Sequence, residues 1–168
     1  VMGAGAYAPR DNDILFTGIR KGGGAGRISF VDEMAARYGQ RFLHVQSVHG
    51  RALADLIARS KIVVAPDHPI TDNYWSNRVY NTLGFGGFLL HPYAETLTYQ
   101  YSADNPRPEL IYYRSREHLH RLIDTLLQRN QDDFRKHMMD VGFERTLEEH
   151  TYTHRCEELV RIVKERVF

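Results

Sequence analysis

Cysteine is scarce in this chain, long apolar runs are missing, and neither sign of charge dominates; each absence narrows what the protein does. The single Cys156 leaves no partner for an intrachain disulfide and fits a reducing compartment. No apolar run approaches the roughly 20 residues a transmembrane helix needs, and no signal-peptide pattern opens the chain. Lys and Arg number 22 against 21 Asp and Glu, so no electrostatic footprint for nucleic acid is visible. Low-complexity tracts and internal repeats are absent. The expectation is a cytoplasmic domain that neither spans a membrane nor binds nucleic acid.

What is there is alternation. The 168 residues suit one domain that buries about two-thirds of its unfolded surface. Residues 1–12, rich in Gly, Ala and Pro, read as a linker, and an opening Val1 in place of Met suggests a piece of a longer protein. From residue 13 to 168, short apolar runs alternate with helical periodicity. Strands are expected at Asp13–Thr17, Arg41–Gln46, Lys61–Ala65, Phe88–Leu90 and Glu109–Tyr113. Between them come helices carrying Ile28, Val31, Met34 and Tyr38, then Leu53, Leu56 and Ile57, then Arg78 to Phe85. The stripe Leu119, Leu122, Ile123, Leu126 and Leu127 marks a fourth helix, and two more follow. One of these covers about Asp132 to Val141. The last carries Tyr152, Cys156, Leu159, Val160, Val163 and Val167 on one face, with Thr151 placed to cap its start. This order predicts an α/β fold: a doubly wound, Rossmann-like parallel sheet of about five strands, flanked by helices.

Parallel sheets place ligands at the carboxyl ends of their strands, so the loops there carry the functional argument. The loop after the first strand holds glycines 18, 22, 23, 24 and 26, with Arg20, Lys21 and Arg27 around them. Glycine lets backbone approach an anion, and the amides of a helix start stabilise negative charge. The spacing matches neither a P-loop nor a dinucleotide fingerprint, and Gln46 stands where the latter needs an acid. A mobile turn is the alternative reading. The loop from Ala65 to Asn77 holds Asp67, His68, Thr71, Asp72, Asn73, Tyr74, Trp75 and Ser76, a dense supply of hydrogen-bonding and stacking groups. On the helix that follows, Arg78 and Asn81 share a face near the start, where an arginine suits a phosphate and an amide suits sugar hydroxyls. A surface arginine on a helix covering the sheet is the plain alternative. His91, just after the fourth strand, either faces the same cleft or is structural. His150 and His154 have the spacing of a metal pair on a helix. No Glu follows His150 as a zincin requires and no third ligand is identifiable, so packing or capping is preferred and no metal is expected.

Three stretches carry a family likeness: Arg78-x-x-Asn81-x-Leu83-x-x-Gly86-Gly87, then Tyr112-Tyr113-Arg-Ser-x-Glu117-x-Leu119, then His150-Thr151-Tyr152-x-x-Arg155. Together they resemble the C-terminal domain of bacterial group 1 glycosyltransferases, in particular the spore-maturation, CgeB-like branch, over about residues 13–166. The resemblance implies the donor half of a two-Rossmann-domain enzyme, which transfers a sugar from a nucleotide-diphosphate sugar without cofactor or metal. It implies that Arg27 and Arg78 stabilise the departing diphosphate, and that Gly18, Arg20, Gly24, Asn73, Ser76, Tyr80, Asn81 and His91 surround the donor. It also implies an N-terminal acceptor-binding domain as partner, and the apolar last helix suggests a homodimer as a further association. Relatives carry two glutamates seven residues apart where this chain has Asn73 and Asn81. An amide keeps hydrogen bonding but gives up charge. The alternative function is therefore a non-catalytic, Rossmann-like binding or interaction module that has lost the acidic site residues.

Overall fold

A computed structural model describes residues 9–21, 24–67, 73–104 and 107–167. Of the positions singled out above, residues 1–8, Gly22, Gly23, His68, Thr71, Asp72 and the side chain of Val167 lie outside the described residues. Five strands, β1 (Asn12–Thr17), β2 (Phe42–Val45), β3 (Ser60–Val64), β4 (Leu89–Pro92) and β5 (Ile111–Tyr113), form one parallel sheet in the order β2-β1-β3-β4-β5. Among the described residues six α-helices accompany it: α1 (Gly24–Tyr38), α2 (Gly50–Ala58), α3 (Arg78–Gly84), α4 (Arg116–Leu126), α5 (Asp132–Glu149) and α6 (Tyr152–Val167). The chain is an α/β, Rossmann-like fold with helices at its C-terminal end.

The period of the strands divides the core in two. On β1, Ile14 and Phe16 point to one face and Leu15 to the other. The first face packs with Ile62, Val64 and Leu90 under α1 and α4; the second packs Val63 and Leu89 under Ile57 of α2 and Val79 and Leu83 of α3. Burial on both faces is why these strands read as continuous apolar runs. Since β2 and β3 flank β1 on opposite sides, successive crossovers diverge between β1 and β3. The crevice at that point opens at the strands' carboxyl ends.

Local chemistry sets most helix ends. Gly39 stops α1 with φ +53°, as expected of a glycine after a helical run. Gly86, at φ +68°, ends α3: its N–H donates to Leu83 O at 2.9 Å and that of Gly87 to Thr82 O at 2.8 Å, the paired bonds of a Schellman motif. Ser115 caps α4 by accepting from His118 N at 3.1 Å.

Two of the differences from the expected element bounds bear on the site and its packing. β4 runs to Pro92, so His91 lies inside the strand and is buried, not just beyond it. α5 continues past Val141 to Glu149 through Gly142. A Cβ there would come within 2.7 Å of Glu109 O and 3.0 Å of Leu83 Cδ2, so close packing onto α3 overrides the low helix propensity of glycine. The described end of the expected linker is docked: Arg10 donates to Ser60 O at 2.6 Å and Gly86 O at 3.0 Å, and Asn12 N to Arg59 O at 3.0 Å.

The last helix has its apolar stripe uncovered. Leu159 is 62% exposed, Val160 51% and Val163 43%. No helix among the described residues is long and apolar enough to cross a membrane.

Candidate functional site

The carboxyl end of β1 is where several of the sequence's candidate residues meet. Arg78, the first residue of α3, reaches across the crevice and donates from Nε and Nη2 to Thr17 O at 3.0 and 2.6 Å. Ser76 Oγ braces it, accepting from Nη1 at 3.1 Å, and its guanidinium lies 5.1 Å from the Phe16 ring centroid. Among the described residues its hydrogen bonds go to a carbonyl and a hydroxyl, never to a carboxylate. Gly18 makes the approach possible: its φ is +151°, and a Cβ there would stand 2.7 Å from Arg78 Nη2. The ends of β2 and β1 are joined alongside, where Gly18 N donates to Val45 O at 3.0 Å and His44 Nε2 to Gly18 O at 2.8 Å.

Electrostatics add two more residues to this point. Burial pushes the Arg78 guanidinium down to about 10, and the neighbouring charge of Arg27 pushes the same way. Arg27 sits in the first turn of α1, with Nη1 3.5 Å from Ile19 O. Two guanidiniums thus face one crevice beside a helix start at Gly24, whose φ is +73°. His91 is held near 4, by burial first and by the charge of Arg78, although its contact with Pro92 O works against this. That contact, Nδ1–H to Pro92 O at 2.7 Å, assigns the ring proton and leaves Nε2 as an acceptor. An anion between Arg27 and Arg78 would offset the repulsion between their charges. The arrangement suits a diphosphate.

The sequence model of a family described as glycosyl transferase-like matches residues 18–161. This chain belongs to the glycosyl transferase-like family. No curated protein matches it.

In this glycosyl transferase-like chain the remaining candidates are placed unevenly. The side chain of Asn81 lies on α3 one turn beyond Arg78 and makes no hydrogen bond among the described residues; Asn73 is exposed in the preceding loop. Arg20 is turned to a carboxylate, with Nη2 2.6 and 2.9 Å from the two Asp32 oxygens, while its backbone N–H donates to Gln46 Oε1 at 3.0 Å. Its charge is already satisfied. Tyr80 is taken up elsewhere: its hydroxyl donates to Gln100 Oε1 at 2.7 Å and accepts from Trp75 Nε1 at 2.9 Å.

That network explains the His-Thr-Tyr element. His150 Nε2 donates to Gln100 O at 3.1 Å, Arg155 Nη2 donates to His150 Nδ1 at 3.0 Å, and the His150 ring packs 4.6 Å from that of Tyr101. Thr151 Oγ1 lies 2.8 Å from His154 Nδ1 and 3.5 Å from His154 N at the start of α6. Both histidines have ring nitrogens engaged in packing and capping, the role the sequence favoured over metal. Burial lowers the pKa of His150.

The sequence reading missed Arg116. It follows the Ser115 cap, donates to Asp67, Glu33, Ser29 and Gly26, and ties three elements together around the crevice. Nothing local marks it, because its partners lie 49 to 90 residues away. Tyr113 was quoted only as part of a motif. It is fully buried and donates to Ala65 O at 2.6 Å, which fixes the exit of β3.

Proposed function

We propose that the chain binds the diphosphate of a nucleotide-diphosphate sugar in the crevice between β1 and β3, as the donor side of a glycosyl transfer. The observation that carries this reading is Arg78, a partly buried cation with no carboxylate partner among the described residues, set beside Arg27 over the glycine that ends β1. In the transfer, the bond between the sugar's anomeric carbon and the diphosphate oxygen breaks, and its electron pair leaves on the diphosphate. Arg27, Arg78 and the amides at the start of α1 stabilise that charge as it develops. Asn81 hydrogen-bonds the ribose, Asn73 the donor sugar, and His91 Nε2 accepts from a hydroxyl. The acceptor and any base that activates it come from a further, N-terminal domain, as the family resemblance requires, and the branch it points to is the bacterial CgeB-like one.

The test is calorimetric titration with UDP, GDP and their sugar conjugates, alongside melting curves. Ligand at 100 times its dissociation constant adds about 2.7 kcal/mol of stability. No heat and no melting shift with any of them would end this reading. A second reading, a binding module without transfer, is favoured by the asparagines at 73 and 81. It requires nucleotide binding that Asn81→Glu does not weaken, with no sugar released or transferred when a nucleotide-sugar is supplied together with any N-terminal partner domain.

A further inference from the structure

We propose that Arg116 is the positioning residue of the diphosphate site: it holds the first turn of α1 against the exit of β3 and neutralises the two carboxylates that flank that turn. The inference rests on the diphosphate reading above and extends it to a residue outside the crevice.

Geometry makes the case. Arg116 Nη2 donates to Gly26 O at 3.0 Å and Nη1 to Ser29 Oγ at 2.8 Å, so one guanidinium grips both ends of the turn that contains Arg27. The same group is bidentate to Asp67, Nε to Oδ2 at 2.8 Å and Nη2 to Oδ1 at 3.2 Å, at the end of the loop leaving β3. Nη1 also reaches Glu33 Oε2 at 2.8 Å, on the next turn of α1. A planar fork with five donors can make this set of bonds; a lysine ammonium cannot.

The charge argument is independent of the grip. Asp67 and Glu33 are carboxylates on the two elements that border the anion site, and Asp67 is largely buried, with 14% of its side chain exposed. Left without a cation, they would repel a diphosphate arriving between Arg27 and Arg78. Glu33 is held further by His120 Nε2 at 2.7 Å, whose Nδ1 lies 3.1 Å from Tyr38 OH. Glu33 is thereby held in place beside the turn. A further tie between α1 and α4, Arg37 to Asp124 at 2.7 Å, is exposed at the far end of α1 and supplies the control.

The experiment compares wild type, Arg116→Met, Arg116→Lys and Arg37→Ala by calorimetric titration with UDP, GDP and inorganic pyrophosphate. Far-ultraviolet circular dichroism and urea unfolding establish that each variant is folded. Arg116→Met is expected to weaken the ligand that wild type binds by at least about tenfold. Arg116→Lys, which restores charge without the fork, should recover part of that loss, and Arg37→Ala should bind as wild type does. Should Arg116→Met fail to fold, Arg116→Lys with Asp67→Asn replaces it; this pair loses the fork but carries no uncompensated acid at position 67, and must still bind more weakly than wild type. Affinity equal to wild type in folded Arg116 variants overturns the positioning role while leaving the site reading intact. A wild type that binds none of the three ligands overturns the site reading, and this inference with it.

Discussion

Arg78 occupies the space that a side chain at Gly18 would need: a Cβ on Gly18 would lie 2.7 Å from Arg78 Nη2 and 3.2 Å from Phe16 Cζ. The glycine at the end of β1 and the arginine at the start of α3 are therefore one feature, separated by sixty positions of sequence. Gly18→Ala should cost about 1–3 kcal/mol in urea unfolding, from backbone strain at φ +151° and displacement of the guanidinium. It should also weaken nucleoside-diphosphate binding. Gly24→Ala is the comparison, strained at φ +73° with no described residue beyond its chain neighbours and its own helix backbone within 4 Å of the new Cβ. Equal losses of stability and affinity in the two variants would show that the close approach constrains nothing.

Arg78 read as a surface residue predicts that removing it leaves stability almost untouched. Its bonds to Thr17 O change that expectation. Orphaning a buried carbonyl costs about 1–3 kcal/mol, but Arg78→Met also removes a desolvated cation from beside Arg27, which offsets part of the loss. The variant should therefore unfold with a deficit at the low end of that range and lose nucleoside-diphosphate binding. A large stability deficit with unchanged affinity would reduce Arg78 to a strap between α3 and β1.

His91 makes the fold sensitive to acid. Its folded pKa near 4 lies below the ordinary 6.5, so between those values the unfolded chain binds a proton that the folded chain refuses, and stability falls as pH drops. The full span is worth about 3 kcal/mol. His150, lowered by burial, acts in the same direction. His91→Gln should flatten, but not abolish, the decline in urea midpoints between pH 6.5 and 4. An unchanged pH profile would mean that the ring accepts a proton in the folded state.

Thr82 carries a fully buried hydroxyl with no hydrogen-bond partner among the described residues. Thr82→Val keeps the branched shape and removes the unsatisfied group, so stability should rise by up to about 1 kcal/mol. Its Cγ2 would lie 2.8 Å from a Cβ on Gly87, so a methyl in place of the hydroxyl must fit on the other branch. Destabilisation by more than about 1 kcal/mol would mean that this side of α3 has no room for it.

The alternation of elements was legible in residue types alone. Strands buried on both faces must be apolar throughout, as Ile62, Val63 and Val64 are, and helix ends need glycine or a capping hydroxyl, as at Gly39, Gly86 and Ser115. Arg27, Arg78 and Gly18 were also legible as candidates, because anion binding draws on few residue types and the loops after parallel strands are where they gather.

Tertiary structure decided which candidates lie together. Arg20 and Tyr80 are of the right type, but Asp32 and Gln100 take up their polar groups, and neither partner is adjacent in sequence. His91 entered the strand because β4 pairs with β5 as far as Pro92, a register set by the neighbour and not by the local run. Arg116 had no local signal, since the four residues it reaches with one rigid fork lie on elements distant in sequence. Local sequence determines backbone geometry through sterics and burial period; charge pairing depends on distances through space, and those exist only once the sheet has brought α1, β3 and α4 to the same edge.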